Sequence, residues 1–250
     1  ASRPDIGEVL GVGSANTVFT LVRAPELVLR VRHNRNSMSL NLPEQEIALW
    51  EQAAAQGMAP RIAWVGASSD VVITTRLQFN DIDPTYHSDL LRRIHDSDIE
   101  ATRLSLEQTA YRYATQIESK GLSHLAVDFN TPSILNDLHL LDNEAACFCH
   151  NDLTPRNVGF SESCYLAIDW EYAAYGSRHF DIAVASQAMH ATSRDSFAEM
   201  TAGMFFDHHS WQAACRAAAL MEHLWTLAVL GQVEDTLSKT SLEKQWALHE

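Results

Sequence analysis

The most informative part of this chain is a pair of short stretches, HNDLTPRN at residues 150–157 and LAIDWE at residues 166–171. Asp152 lies five residues before Asn157, and Asp169 follows Asn157 by twelve residues. A carboxylate in a loop can orient an attacking hydroxyl and accept its proton, which phosphoryl transfer requires. Amide and carboxylate oxygens are the ligands that Mg²⁺ takes. The pattern therefore predicts Asp152 as a catalytic base, with Asn157 and Asp169 as metal ligands.

Either stretch alone is compatible with ordinary loop chemistry, since a His-x-Asp triplet and an isolated carboxylate are both common. Their combination is more specific, because one base and two metal ligands occur together at matching spacings on a predicted loop and strand end. We interpret His150 as a residue that braces this loop.

The same residues resemble a known family. Protein kinases carry H-R-D-x-x-x-x-N in their catalytic loop, and the Asp-to-Asn spacing is identical here, with Asn151 in place of the arginine. CHND at residues 149–152 and IDWEY at residues 168–172 resemble the choline/ethanolamine kinase and aminoglycoside phosphotransferase superfamily, especially its choline and thiamine kinase branches. Weaker similarity extends over nearly the whole chain, including LRRIH at residues 91–95 and FDI at residues 180–182.

The resemblance implies a small-molecule kinase that uses ATP and Mg²⁺, with a bilobal fold like that of protein kinases. The residue pattern agrees with an α+β fold class, in which a small antiparallel β-sheet lobe with one helix precedes a larger, mainly helical lobe. We predict an N-terminal nucleotide-binding lobe at residues 1–80 and a C-terminal catalytic and substrate-binding lobe at residues 81–250.

Periodicity supports this division of the chain. Apolar and β-branched runs predict strands at residues 17–22, 27–32, 62–65 and 71–75, with two further strands at residues 146–150 and 165–168. Pro43 and the acidic residues after it predict a helix over residues 43–57. Further helices are predicted at residues 87–96, 102–119, 181–193, 195–206, 210–231 and 234–248.

A glycine-rich segment, GVGSAN at residues 11–16, lies between two strand-like runs. Backbone amides in such a loop can curl over phosphates, although a plain hairpin turn also uses glycine. With the resemblance, this segment assigns Gly13, Ser14 and Asn16 to nucleotide binding.

Two arginines on the strand at residues 27–32 are candidates for a phosphate contact. Alternation puts Arg30 and Arg32 on one face, so periodicity does not choose between them. The resemblance favours Arg30, because choline-kinase-like proteins carry arginine in a similar Leu-Arg-Val context, and it implies Glu46 as the ion-pair partner. Without the catalytic motif, Arg30 and Glu46 would equally be read as solvated surface charges.

The acceptor is predicted from residues that suit a cation. Glu171 follows the second metal ligand, and Trp225 lies on a late helix, because carboxylates and aromatic faces together attract ammonium groups. Tyr172 is a further candidate for this surface. Choline kinases resemble this helix but have a second tryptophan where Ala228 stands. A tryptophan at helical spacing is also compatible with an ordinary core position.

Composition limits the classes of partner. A formal net charge of -14 disfavours a nucleic-acid surface and favours neutral or cationic ligands. The sequence lacks a run of eighteen apolar residues and the pattern of a signal peptide, so we expect a cytoplasmic protein with no membrane partner. The four cysteines show no metal or disulfide spacing, and we expect reduced thiols.

The leading hypothesis is transfer of the ATP γ-phosphoryl group to the hydroxyl of choline, ethanolamine or a similar amino alcohol, with thiamine and aminoglycosides as alternative acceptors. A second hypothesis is an inactive kinase-like module that binds nucleotide. A third is a metal-dependent oxygenase or hydrolase that uses His150, Asp152 and either His190 or His208. This third hypothesis leaves Asn157 and Asp169 without a role.

Overall fold

The first third of the chain forms one antiparallel sheet in the computed structural model, which describes residues 5–13, 15–32, 38–161 and 164–231. Its strand order is β1-β2-β3-β5-β4. The strands are β1 (Ile6–Val12), β2 (Asn16–Leu21), β3 (Leu27–Arg32), β4 (Ile62–Val65) and β5 (Val71–Thr75). The four predicted strands are confirmed, and β1 adds a fifth at the edge of the sheet.

One helix, α1 (Pro43–Ala55), accompanies this sheet, as predicted. Proline is favourable in the first turn of a helix, where its missing N–H leaves no hydrogen bond unmade. The helix buries an apolar face that includes Trp50, whose indole N–H donates to the Pro60 carbonyl over 2.7 Å. It ends before Gly57, whose φ of 69° no other residue type adopts as easily.

A second helix and a hairpin belong to the same part of the structure. Helix α2 (Pro84–His95) begins at Asp83, whose side chain accepts a hydrogen bond from the Thr85 N–H. Strands β7 (Val158–Ser161) and β8 (Cys164–Ala167) form an antiparallel pair. The Ala167 N–H donates to the Met58 carbonyl over 2.8 Å, which attaches this hairpin to the segment after α1.

The remaining elements are mainly helical. The helices are α3 (Leu106–Ser119), α4 (Pro132–Asp142), α5 (Arg178–Ser186), α6 (Ala191–Ala202) and α7 (His208–Leu230). Helix α7 packs against α3, α4 and α5, and its inner face of alanine and leucine is fully buried. Strands β6 (Cys147–Cys149) and β9 (Ala174–Gly176) pair antiparallel beside these helices.

Contacts divide the chain into two compact units. The first unit contains the described residues of Ala1–Ile99 and Pro155–Ala173, and the second contains those of Glu100–Thr154 and Ala174–Glu250. A sheet with few helices in the first unit and a helical second unit confirm the predicted α+β class. The proposed lobe boundary after residue 80 stays a prediction.

Several predicted helix bounds were wrong for local reasons. The helix expected from residue 102 begins at Leu106, because residues 102–104 are extended and hydrogen-bond to Tyr175. Helix α4 was not predicted. The helix expected from residue 181 begins at Arg178, because the Ser177 hydroxyl caps it by accepting the Phe180 N–H.

The break between the next two helices was also misplaced. Residues 187–190 separate α5 from α6, whereas the sequence indicated a break at residue 194. The short strands β7 and β9 were not predicted either. The helix expected at residues 234–248 lies outside the described residues.

Helix α7 is, within the described part of the chain, the one helix long and apolar enough to cross a membrane by length and composition. Its most apolar window is 61% buried inside the fold. A core helix passes the same test, so this is weak evidence for a membrane segment.

Candidate active site

Two buried arginines share one carboxylate in the first unit. Arg30 and Arg32 project from the same face of β3, and Glu46 lies on the first turn of α1. One oxygen of Glu46 accepts a hydrogen bond from Arg30 Nη2 over 2.7 Å, and its other oxygen accepts one from Arg32 Nη2. Glu46 is fully buried, and the Arg30 guanidinium also lies over the Trp50 ring. The predicted Arg30–Glu46 ion pair is therefore present, and Arg32 takes part in it equally.

Asp169 stands at the end of β8 with an unusual backbone. Its φ is 68° and its ψ is 64°, a left-handed conformation that costs a non-glycine residue roughly 1–2 kcal/mol. Its Oδ1 is buried and has no hydrogen-bond partner among the described residues. Such strain and such an unpartnered oxygen are more common at functional sites than elsewhere.

Asn157 lies beside this position in the fold. It directly precedes β7, and its carbonyl accepts the N–H of Ile168, the residue before Asp169, over 2.9 Å. The β7–β8 hairpin therefore brings the two predicted metal ligands to the same end of one strand pair. Hard cations prefer oxygen donors of this kind.

Burial and charge set the protonation of this cluster. Burial raises the pKa of Asp169, and the charge of Arg30 opposes this rise without cancelling it. Burial and the charge of Asp169 raise the pKa of Glu171 to about 7, although a hydrogen bond from Ser39 lowers it. Burial alone would lower the pKa of Arg30, but the charge of Glu46 raises it. The cluster thus contains the three carboxyl groups of Glu46, Asp169 and Glu171 but only the two guanidinium groups of Arg30 and Arg32 among the described residues. A bound cation would balance the additional carboxyl group.

The segment after Asp169 is fixed to the residues before α1. The Ser39 hydroxyl donates to Glu171 Oε2 over 2.8 Å, and Arg32 Nη1 lies 3.6 Å from the same oxygen. The Asn41 N–H donates to the Glu171 carbonyl, and the Asn41 side-chain amide donates to the carbonyls of Trp170 and Ala173. Glu171 is consequently buried among partners of its own unit.

The predicted catalytic base, Asp152, lies in the second unit, on a loop whose backbone is hydrogen-bonded to the side chain of Asp181. Asp181 is fully buried in the first turn of α5, and its two oxygens accept the backbone N–H groups of His150 over 3.0 Å and Asn151 over 2.7 Å. Asn151 has a φ of 61°, and Leu153 is completely buried. Asp152 itself is half-buried between these two anchors.

The glycine-rich segment begins in the last residues of β1 and ends at Asn16, the first residue of β2. The Gly13 N–H donates to the Asn16 carbonyl over 2.8 Å, and Asn16 Oδ1 is buried with no partner in the described part of the chain. Ser14 lies outside the described residues. An unpartnered acceptor in this segment suits a ligand that carries a donor group.

The predicted acceptor residues are distributed over both units. Tyr172 is half-buried beside Glu171 in the first unit. Trp225 is half-buried on α7 in the second unit, and Ala228 on the next turn is buried in the helical core.

The alternative metal site is not assembled. Of the described residues, no group of three possible ligands within 4.8 Å combines His150 and Asp152 with a further histidine. His190 and His208 are both exposed at the starts of helices.

Sequence reasoning missed the supporting residues Ser39 and Asn41, and it missed the contact of Arg32 with Glu171. No capping signal could have indicated Asn41, because Leu42 is the N-cap residue of α1 and the Asn41 amide donates to carbonyls far away in sequence. No local pattern relates Arg32 or Ser39 to Glu171, which is far away in sequence.

Comparison with known proteins identifies the class. Residues 7–215 match the model of a family described as the phosphotransferase enzyme family. The chain belongs to this family. No curated protein matches the chain by sequence.

Solved structures with the same fold include a choline/ethanolamine kinase family protein from Mesorhizobium loti, with 17% identity and a TM-score of 0.69 over 96% of this chain and 85% of that one. Choline kinase LicA from Streptococcus pneumoniae has 15% identity and a TM-score of 0.74 over 97% and 92% of the two chains. The ADP-bound aminoglycoside phosphotransferase APH(2'')-Ib has 14% identity and a TM-score of 0.58 over 97% and 92%. These likenesses confirm the predicted kinase-like fold, and the family match over residues 7–215 agrees with the superfamily that the sequence resembles.

Proposed function

We propose that the protein is a kinase that uses ATP and Mg²⁺ to phosphorylate the hydroxyl of a small amino alcohol such as choline or ethanolamine. Membership of the phosphotransferase family supports the reaction class. The similar choline and choline/ethanolamine kinase structures support the acceptor class, and the ADP-bound relative supports a nucleotide donor. The proposal includes the predicted cytoplasmic location and excludes nucleic acid and membrane as partners.

One observation carries the proposal: Asp169 presents, from a left-handed backbone, a buried carboxylate oxygen that no described residue hydrogen-bonds, and the charges of Arg30 and Glu46 act on it. This carboxylate and the nearby Asn157 fit a magnesium ion. Bound there, Mg²⁺ would neutralise charge on the phosphates of the nucleotide. Arg30 would offer a second positive charge to those phosphates, and Glu46 would hold its guanidinium in place.

Asp152 would orient the acceptor hydroxyl and receive its proton as the new O–P bond forms. A base in this role must be positioned within hydrogen-bond reach of the hydroxyl, and positioning contributes much of the rate in phosphoryl transfer. The two backbone bonds to Asp181 restrict the loop that carries Asp152. Gly13, Ser14 and Asn16 would contact the phosphates from the β1–β2 connection.

The acceptor assignment rests on the predicted cation-binding residues Glu171, Tyr172 and Trp225. Trp225 and Tyr172 are partly exposed, which leaves aromatic surface available to an ammonium group. Ala228 offers no second aromatic side chain on α7. Thiamine and aminoglycosides are therefore kept as alternative acceptors, and the similar aminoglycoside phosphotransferase favours including the latter.

The reaction is tested by incubating the purified protein with ATP, Mg²⁺ and a panel of choline, ethanolamine, thiamine and aminoglycosides while measuring ADP. We expect ADP release that depends on one class of alcohol. Nucleotide-induced thermal stabilisation without turnover on any acceptor would instead favour the inactive kinase-like module.

The base is tested with Asp152→Asn, which removes the proton acceptor but retains the shape of the side chain. We expect turnover to fall at least about 100-fold, while nucleotide-induced thermal stabilisation changes little. The control is Asp128→Asn, the same substitution at an exposed position of the same unit. Turnover of Asp152→Asn equal to that of this control would remove Asp152 from the mechanism.

A further inference from the structure

Arg32 contacts two carboxylates that come from distant parts of the sequence. Its Nη2 donates to Glu46 on α1, and its Nη1 lies 3.6 Å from Glu171 Oε2. The Arg32 side chain is only 3% exposed, less than the 10% of Arg30. The planar guanidinium group suits this arrangement, because its donors point in fixed directions and can serve two acceptors at once.

The two arginines share Glu46 and differ in their further contacts. Each oxygen of Glu46 takes one arginine, so Glu46 fixes both guanidinium groups relative to α1. Both arginines interact electrostatically with Asp169, and Arg30 also packs over Trp50. Arg32 has the additional contact to Glu171, two residues beyond Asp169.

Glu171 is held from three directions in this unit. Ser39 donates to its side chain, Asn41 donates to its carbonyl, and Arg32 lies beside its carboxylate. The Glu171 side chain is only 7% exposed and is held by these contacts. A shift of its partners would therefore also shift the backbone that carries Asp169. The left-handed backbone at Asp169 needs such support, since strained conformations persist only when their surroundings fix them.

We propose that Arg32 is a positioning residue that connects Glu46 with Glu171. It thereby keeps the Arg30 and Asp169 side chains correctly placed relative to each other for the nucleotide and its metal. This inference rests on the proposed kinase function and adds a residue to it. Arg32 itself contacts no reactant in this scheme. Glu171 then has two roles, the proposed contact with the acceptor and, through Arg32, support of the backbone that carries Asp169. Because Arg32 acts on the second role, its removal affects metal use and turnover more than acceptor binding.

The experiment compares the wild type with Arg32→Gln, Arg32→Lys and the control Arg23→Gln. Arg23 is an arginine of the same sheet region that pairs with Asp5, and its side chain is 83% exposed. Turnover is measured at one fixed pH for all variants, with ATP, Mg²⁺ and the accepted alcohol each varied in turn. Thermal unfolding of each variant checks that it is folded at the assay temperature.

We expect Arg32→Gln to lower kcat at least about tenfold and to raise the Mg²⁺ concentration for half-maximal activity, with the acceptor KM changed less than about twofold. Arg32→Lys should recover part of kcat, because an ammonium group retains the charge but cannot replace the fixed two-sided geometry. Arg23→Gln should behave as the wild type.

Two outcomes overturn the inference separately from the function. If the wild type is active and Arg32→Gln matches Arg23→Gln in kcat and Mg²⁺ dependence, Arg32 has no positioning role. If Arg32→Gln raises only the acceptor KM, the Arg32–Glu171 pair acts on the acceptor. A wild type without turnover on any alcohol contradicts the proposed function, and the role of Arg32 fails with it.

Discussion

At the scale of single residues, the first unit concentrates charge in a place where water is largely excluded. Glu171 shows the consequence most clearly, because burial and then the charge of Asp169 raise its pKa from the ordinary value of 4.5 to about 7. Arg32 and Ser39 oppose this rise without removing it. The protonation of Glu171 therefore changes in the range in which most enzymes are assayed.

This shift predicts a pH-dependent stability. A carboxyl group with a higher pKa in the folded than in the unfolded protein binds more protons when folded, so the free energy of unfolding falls as pH rises from about 4.5 to 7. Glu171→Gln removes this titration. We expect the stability of the wild type relative to Glu171→Gln to fall by on the order of 1–3 kcal/mol across this window.

The measurement is urea unfolding at a series of pH values, with EDTA and without nucleotide so that no metal contributes. A stability difference between wild type and Glu171→Gln that stays constant from pH 4.5 to 7.5 would contradict the raised pKa of Glu171. Glu118→Gln, at an exposed position of α3, is the matched control.

At the scale of secondary structure, α5 supplies the side chain that anchors the loop carrying Asp152. The helix starts with Ser177 as its cap, which places Asp181 in the first turn. The carboxylate there accepts the backbone N–H groups of His150 and Asn151, which would otherwise lack this acceptor. A buried N–H without an acceptor costs about 1–3 kcal/mol, so this single side chain matters for both fold and site.

Asp181→Ala should therefore lower the free energy of unfolding by at least about 2 kcal/mol, since two buried donors lose their acceptor. Asp181→Asn should lower it less, because one carbonyl oxygen remains to accept one N–H. Urea unfolding compares the two variants, and turnover should fall in the same order. Equal stability of Asp181→Ala and the wild type would show that these bonds contribute nothing.

At the scale of the whole molecule, the sequence predicted the fold class correctly because its signals are local, and the candidate site residues, which were chosen from equally local signals, stay predictions. Strand alternation, the proline of α1 and the spacing of Asp152, Asn157 and Asp169 can each be recognised within a short window. The Arg30–Glu46 pair was also predicted, with help from the resemblance. Its presence in the structure agrees with that interpretation.

What the sequence did not predict depends on distant partners. Strands β7 and β9 have only four and three residues, and their pairing with β8 and β6 supplies what local propensity lacks. The contact of Arg32 with Glu171 joins residues that are far apart in sequence, and no periodicity reports such a pair. The same limit applies to Asp181, because the backbone N–H groups that its carboxylate accepts belong to a loop about thirty residues earlier in the sequence.

The helical unit has its own long-range pair, which supports a global prediction. Arg216 on α7 donates two hydrogen bonds to Asp137 on α4, over 2.7 and 2.8 Å, and both side chains are largely buried. Arg216→Met should destabilise the protein by about 3–5 kcal/mol, because it leaves a buried carboxylate without its main partner.

The double variant Arg216→Met with Asp137→Leu should recover most of this loss, since an apolar pair of similar size avoids the cost of a buried charge. Chemical unfolding of the wild type, the two single variants and the double variant forms a complete thermodynamic cycle. Additive effects of the two substitutions would contradict a direct energetic coupling between α4 and α7.

The first unit takes its residues from two separate segments of the chain, 1–99 and 155–173. During synthesis, the ribosome therefore completes the sheet and α1 long before it delivers the hairpin and the segment that carries Asp169 and Glu171. Until that segment emerges, Glu46 is the one carboxylate partner of Arg32 among the described residues, and the asparagine at position 41 lacks the carbonyls it later binds. The charged cluster of the candidate active site is thus completed late, and a fragment cut after residue 99 would keep Arg30, Arg32 and Glu46 but lack Asp169 and Glu171.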